Sequence, residues 1–299
     1  MIGHHSSRYS GTALAIVIVS ISFSQPSPAA DLVRHKLKFK ESSREYYVQV
    51  PEDYDSGKSY WALVAVHGGG GNGRKGFLAE GFREVVQFSN FDAIVVSPSF
   101  SNEDLQASRF PALGEGEYLK AVIEDLRIRY SIHEKILLSG YSRGGQFSHR
   151  FAFANPELVK AVASCSAGTW TTPDGQLLIE SLGAISDPST YLKNADNATA
   201  APERLGGIFT KRVADVAGLK PLHRASKVPF LVMCGSLDTR FEISQQFAQS
   251  MEEGGFSVTT SWPRTPHTSK NKSEFRDEFE KYSTESLAFF IECIQSSKP

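Results

Sequence analysis

Five short, almost uninterrupted apolar runs constrain the fold of this chain more than any other feature. They occupy residues 61–66, 93–96, 136–139, 159–164 and 228–234, and turn residues close them. A strand covered on one face alternates apolar and polar residues, whereas a strand covered on both is apolar throughout. Helical patterns separate the runs, at residues 75–87, 117–128, 145–154, 243–251 and 273–294. Strand then helix, repeated, predicts an α/β class with a mostly parallel central sheet and helices on both faces. Residues 37–40 and 45–50 add two strands joined by a turn, and residues 257–261 are strand-like.

Two stretches depart from this rhythm. Residues 168–224 are rich in Gly, Pro, Ser, Thr, Asn and Asp and show no clear strand. So long an interruption predicts an inserted lid with short helices of its own. At the other end, Arg8 and two histidines precede an apolar run at residues 13–21, too short to cross a bilayer core. A Ser/Pro-rich stretch then leads to Ala29 and Ala30. Residues 1–30 therefore read as a cleavable signal peptide, and residues 31–299 as one domain. The expectation is a secreted or periplasmic protein with no stable membrane insertion once the signal is removed.

Composition narrows the function. Lys and Arg total 32 against 33 Asp and Glu, a formal charge of −1. A nucleic-acid partner needs a basic face to neutralise phosphates, so none is expected. The three cysteines, Cys165, Cys234 and Cys293, lie in strand-like or helical patterns and are expected to be buried free thiols. They are too few for a four-cysteine zinc site, and no H-E-x-x-H or similar spacing suggests a metal.

Gly140-Tyr141-Ser142-Arg143-Gly144 has the form G-x-S-x-G. The motif alone is weak, but here it follows the apolar run at 136–139 and opens a helical pattern. A serine at a tight strand-to-helix turn is lifted above the sheet, and flanking glycines let the backbone crowd around it. The helix N-terminus also favours the negative charge that develops in acyl transfer. Ser142 is therefore the candidate nucleophile.

Such a serine needs a base and an acid. With the order serine, acid, base, only His267 among eight histidines follows the last strand-end acid. His133 and His223 are read as surface residues, and His149 as a bystander on the helix after the serine. Asp238 closes the run at 228–234 and its turn, at a strand's carboxyl end, where it can orient an imidazole. Asp174, Asp187, Asp196 and Asp215 all fall in the predicted lid. The loop His67-Gly68-Gly69-Gly70-Gly71-Asn72 follows an early strand, and its glycines permit close approach to a substrate. The backbone N–H groups of Gly69 and Arg143 are assigned to an oxyanion hole, with His67 stabilising the loop. Tyr141 and Trp170 are candidate substrate contacts, with Tyr191 and Phe209 of the lid.

The glycine loop, the 140–145 turn, the Gly235–Asp238 turn and the His267 loop together resemble the α/β-hydrolase superfamily. Within it, the chain looks most like secreted poly(3-hydroxybutyrate) depolymerase and feruloyl-esterase-type serine esterases. The resemblance implies the α/β-hydrolase fold with an inserted lid. It also implies hydrolysis of a small-molecule or polymeric ester through an acyl-enzyme, with no cofactor. Arg143 departs from the smaller or neutral residues common after the nucleophile, and biases the expected substrate towards acidic or polar acyl groups.

Rival readings fit less well. The loop matches G-x-G-x-x-G, but the next strand ends Val96-Ser97-Pro98 without the acid a dinucleotide ribose needs. A serine peptidase would use the same triad, yet the chain has no large gating domain. A silent binding protein would be expected to have lost a triad member, and all three are present.

Overall fold

The computed structural model describes residues 32–100, 115–173, 176–179, 203–205, 208–212, 227–267 and 272–296. The first six strands are β1 (Leu32–Phe39), β2 (Ser42–Gln49), β3 (Trp61–Val66), β4 (Ala93–Pro98), β5 (Ile136–Tyr141) and β6 (Val159–Cys165). Then follow β7 (Thr169–Thr171), β8 (Gln176–Ile179), β9 (Glu203–Leu205), β10 (Ile208–Arg212), β11 (Phe230–Met233) and β12 (Val258–Ser261). The helices are α1 (Phe77–Gln87), α2 (Glu115–Arg129), α3 (Arg143–Ala154), α4 (Phe241–Glu253) and α5 (Lys272–Gln295).

Eight strands form one sheet in the order β1-β2-β4-β3-β5-β6-β11-β12. From β4 to β12 all neighbours are parallel, while β1–β2 and β2–β4 are antiparallel. The strand period of two divides its core. Val64, Val66, Ile94, Val96, Leu138 and Val232 point to the face covered by α2, α3 and α4. Their neighbours Leu63, Ala65, Ala93, Val95, Leu137 and Leu231 point to the face covered by α1 and α5. That two-sided burial explains the unbroken apolar runs, since each fully buried aliphatic side chain contributes roughly 1.5–3 kcal/mol.

The predicted lid needs one correction. Its described portions are strands rather than short helices: β7, β8, β10 and β9 pair, all antiparallel, into a second sheet of four. Strands of three to five residues are too short to show a period in the sequence, and their pairing supplies what pattern does not. The rest of residues 168–224, including the aspartates at 174, 187, 196 and 215, His223 and Tyr191, lies outside the described residues, as does the predicted signal at 1–30.

The three cysteines are buried free thiols, as the sequence predicts. Burial pushes the Cys234 thiol up to about 12 and that of Cys293 to about 11, so both pack as small apolar groups. Among the described residues no helix is long and apolar enough to cross a membrane, and no His/Cys/Asp/Glu cluster could hold a metal ion.

Candidate active site

Ser142 joins β5 to α3 at φ 55° and ψ −114°, a backbone conformation disfavoured for a residue with a side chain. Such strain costs of order 1–3 kcal/mol and persists only where surrounding structure enforces it. Here the enforcement is visible. A Cβ on Gly140 would stand 2.1 Å from the Gly144 carbonyl oxygen, and one on Gly144 would stand 2.2 Å from that of Val66. The Ser142 N–H donates to the Cys165 carbonyl at 2.9 Å, and the Gln146 N–H donates to the Ser142 carbonyl at 3.0 Å. Ser142 occupies the N-cap position of α3, yet its hydroxyl makes no capping bond. The hydroxyl is left for something else.

Asp238 and His267 do meet. His267 Nδ1–H donates to Asp238 Oδ2 at 2.9 Å. The other carboxylate oxygen, Oδ1, accepts the Arg240 N–H at 3.0 Å and the Arg240 guanidinium at 3.2 Å. Burial is the largest influence on this carboxyl and pushes its pKa up. The His267 hydrogen bond and charge, with the Arg240 N–H and charge, outweigh it and hold Asp238 below the usual carboxylate value. Asp238 is thus ionised and aimed at the ring.

Loop contacts fix the pair. The Ser236 N–H donates to the Pro263 carbonyl at 2.7 Å, and the Leu237 N–H donates to that of Thr265 at 3.1 Å. The turn can approach so closely because Gly235 lacks a side chain, whose Cβ would lie 2.0 Å from the Thr265 oxygen. Tyr141, next to Ser142 in the chain, stacks on the imidazole at 5.1 Å and 16°. Its hydroxyl donates to the His267 carbonyl oxygen. With Nδ1–H committed to Asp238, the ring presents Nε2 as the open acceptor. No hydrogen bond among the described residues joins Ser142 Oγ to the ring, and such contacts are often loose before substrate binds.

The glycine loop lies against the serine: a Cβ on Gly68 would sit 3.5 Å from Ser142 Cβ. His67 holds the loop in place. Its Nδ1–H donates to the Gly68 carbonyl at 2.8 Å, and its Nε2 accepts the Phe100 N–H at 3.1 Å. Burial depresses its pKa, opposed by those two backbone bonds, so the ring is neutral. No hydrogen bond among the described residues uses the N–H of Gly69 or Arg143.

Both expected substrate contacts require revision. Trp170 is fully buried, stacked on Phe247 at 4.3 Å, and its indole N–H donates to Ser244 Oγ at 3.3 Å. It fills the core between α3, α4 and β7, because an indole at the root of the second sheet buries more apolar area there than at a surface. Tyr141 is only 5 % exposed and supports the histidine instead. The Phe209 side chain lies outside the described residues.

Sequence reasoning missed two structural histidine roles. His149 is fully buried, bonds the Gly145 carbonyl through Nδ1 at 2.9 Å and accepts the Thr171 N–H at Nε2 at 3.0 Å. It braces α3 against β7, a link between elements that no local pattern reveals. His133, read as a surface residue, is half-buried against Trp61 at 4.1 Å.

No family model matches the chain, and no curated protein matches it. Solved structures do. An S-formylglutathione hydrolase from Staphylococcus aureus aligns with TM-score 0.60 and 12 % identity, over 86 % of this chain and 98 % of that one. A CE1 ferulic acid esterase from Anaeromyces mucronatus aligns with TM-score 0.54 and 15 % identity, over 89 % of this chain and 95 % of that one. A thermostable esterase aligns with TM-score 0.54 and 16 % identity, over 88 % of this chain; the chain spans only 63 % of that protein. At such identities topology is what is shared, and with the strand order and elbow above it establishes that this chain has the α/β-hydrolase fold.

Proposed function

We propose that this chain is an exported serine hydrolase that cleaves carboxylic esters through Ser142, His267 and Asp238. The observation that carries the reading is the Asp238–His267 bond, stacked against Tyr141, which precedes a strained serine whose hydroxyl makes no capping bond. Export is supported by the signal-like pattern of residues 1–30. Esterases outnumber the one acylaminoacyl peptidase among the named structural neighbours, which favours an ester over an amide, and feruloyl esters are the first substrates to examine.

In this mechanism His267 Nε2 takes the Ser142 proton as Oγ bonds to the ester carbonyl carbon. The carbonyl oxygen becomes an oxyanion, met by the N–H groups of Gly69 and Arg143 at the positive end of α3. The carbon–alkoxide bond then breaks, and the imidazolium returns its proton to the departing alcohol. Water, deprotonated by the same nitrogen, attacks the acyl carbon; the bond to Ser142 Oγ then breaks as the imidazolium returns the proton to Oγ, and the acid leaves. Asp238 keeps the imidazole in the required tautomer and stabilises its charged form.

The test is turnover of short-chain 4-nitrophenyl, feruloyl and hydroxybutyrate esters by the mature protein and by Ser142→Ala. At least one ester class should turn over, and Ser142→Ala should abolish it. Undiminished turnover by that variant contradicts the proposal.

A further inference from the structure

Arg143 stands where a cation is electrostatically disfavoured. It is the first residue of α3, at the positive end of the helix dipole, and no acidic residue accompanies it in the first turn. No hydrogen bond or ion pair among the described residues engages its side chain. The guanidinium stem lies across the glycine loop: a Cβ on Gly69 would meet Arg143 Nε at 3.0 Å and Cζ at 3.1 Å. The side chain is half-buried rather than dissolved in solvent, and no described residue neutralises it.

The glycine loop adds two further cations. From His67 to Ala79 the chain carries Arg74 and Lys75, both exposed, and no carboxylate. His67 is neutral and fully occupied by Gly68 and Phe100. Arg240, another guanidinium near the triad, already bonds Asp238. Among the described residues, the Arg143 guanidinium is therefore a forked donor next to the serine with no protein acceptor. A local rule broken without internal compensation is expected where a ligand supplies the compensation.

We infer that the Arg143 guanidinium is a specificity determinant that selects esters whose acyl part carries a carboxylate, pairing with it across the Gly69 backbone. This inference rests on the hydrolase reading above and adds the class of acyl group. A planar guanidinium suits a carboxylate because two parallel N–H donors meet its two oxygens. In a half-buried site such a charged pair is screened less than one on the open surface. The chemistry at the ester carbonyl is unchanged; the pairing positions the acyl chain while Ser142 attacks.

The experiment compares two substrates in one enzyme: 4-nitrophenyl hydrogen adipate and 4-nitrophenyl methyl adipate, with uncatalysed hydrolysis subtracted. They differ only in whether the distal group is charged. The readout is the ratio of their kcat/KM values, so any general effect of a substitution on the oxyanion hole cancels. Wild type should favour the anionic ester at low ionic strength, and added salt should reduce that preference. Arg143→Gln should lower the ratio by about tenfold to a hundredfold, the range for a charge-assisted hydrogen bond. Arg143→Lys should retain part of the preference, keeping the charge but losing the fork. A ratio equal in wild type and Arg143→Gln overturns the inference, as does a wild-type preference for the methyl ester at every ionic strength. Fluorophosphonate labelling separates the two failures. Labelled Ser142 with an unchanged ratio sinks only the inference, whereas unlabelled Ser142 with no turnover of either ester sinks the hydrolase reading and the inference with it.

Discussion

Asp238 divides its carboxylate between two tasks. Oδ1 receives the Arg240 N–H at the entry to α4, and Oδ2 receives the imidazole N–H of His267. One carboxylate thus serves both the entry to α4 and the imidazole of His267. Asp238→Asn preserves the shape but places an amide where the ring needs an acceptor. In comparable triads that exchange costs about 10⁴-fold in kcat through the wrong tautomer. Steady-state kinetics with a folding check by circular dichroism measures it, and a loss below about tenfold would assign the acid elsewhere. Tyr141 shows why the rest of the site was not legible. Its ring and hydroxyl support His267, 126 positions away in sequence, and only the closed fold brings the two together.

Elements differ in how plainly the sequence announces them. The β5–α3 elbow is written locally, in one apolar run, two spaced glycines and a helical pattern. The central strands are equally plain because burial on both faces leaves them continuously apolar. By contrast, β7 to β10 are three to five residues long, and antiparallel pairing with one another defines them. Trp170 lies in β7, where the sequence suggests a cleft aromatic and the structure shows a core side chain. Trp170→Ala should therefore act on stability. Removing a fully buried indole stacked on Phe247 should cost roughly 3–5 kcal/mol. Chemical denaturation reads this directly; a variant as stable as wild type would mean that the indole is not part of the core.

At the scale of the whole molecule, buried histidines link the site to pH. Burial is the main reason His149 titrates well below the ordinary imidazole value of 6.5, with the Arg150 charge assisting and the Gly145 carbonyl opposing. Burial also depresses His67 below 6.5. In both cases the unfolded chain binds protons more readily than the folded one. Their stabilisation is thus complete above 6.5 and is lost as pH falls from there towards the folded values. Asp238, held below 3.8, adds a second loss at lower pH, as its carboxyl becomes protonated. Thermal melts should show Tm steady just above neutrality and falling between pH about 6.5 and about 5, before the carboxylates titrate. A Tm unchanged across that interval would contradict the neutral, buried assignment of these rings.

The sheet and the elbow present the Ser142 hydroxyl, and Tyr141, the residue before it, packs on the Asp238–His267 pair. Fluorophosphonate labelling of the mature protein, followed by peptide mapping, asks whether that hydroxyl is activated. One adduct is expected, on Ser142, blocked when Ser142 is replaced by Ala and strongly slowed when His267 is replaced by Ala. An adduct on another residue, or none on Ser142 while the protein still hydrolyses esters, would contradict it.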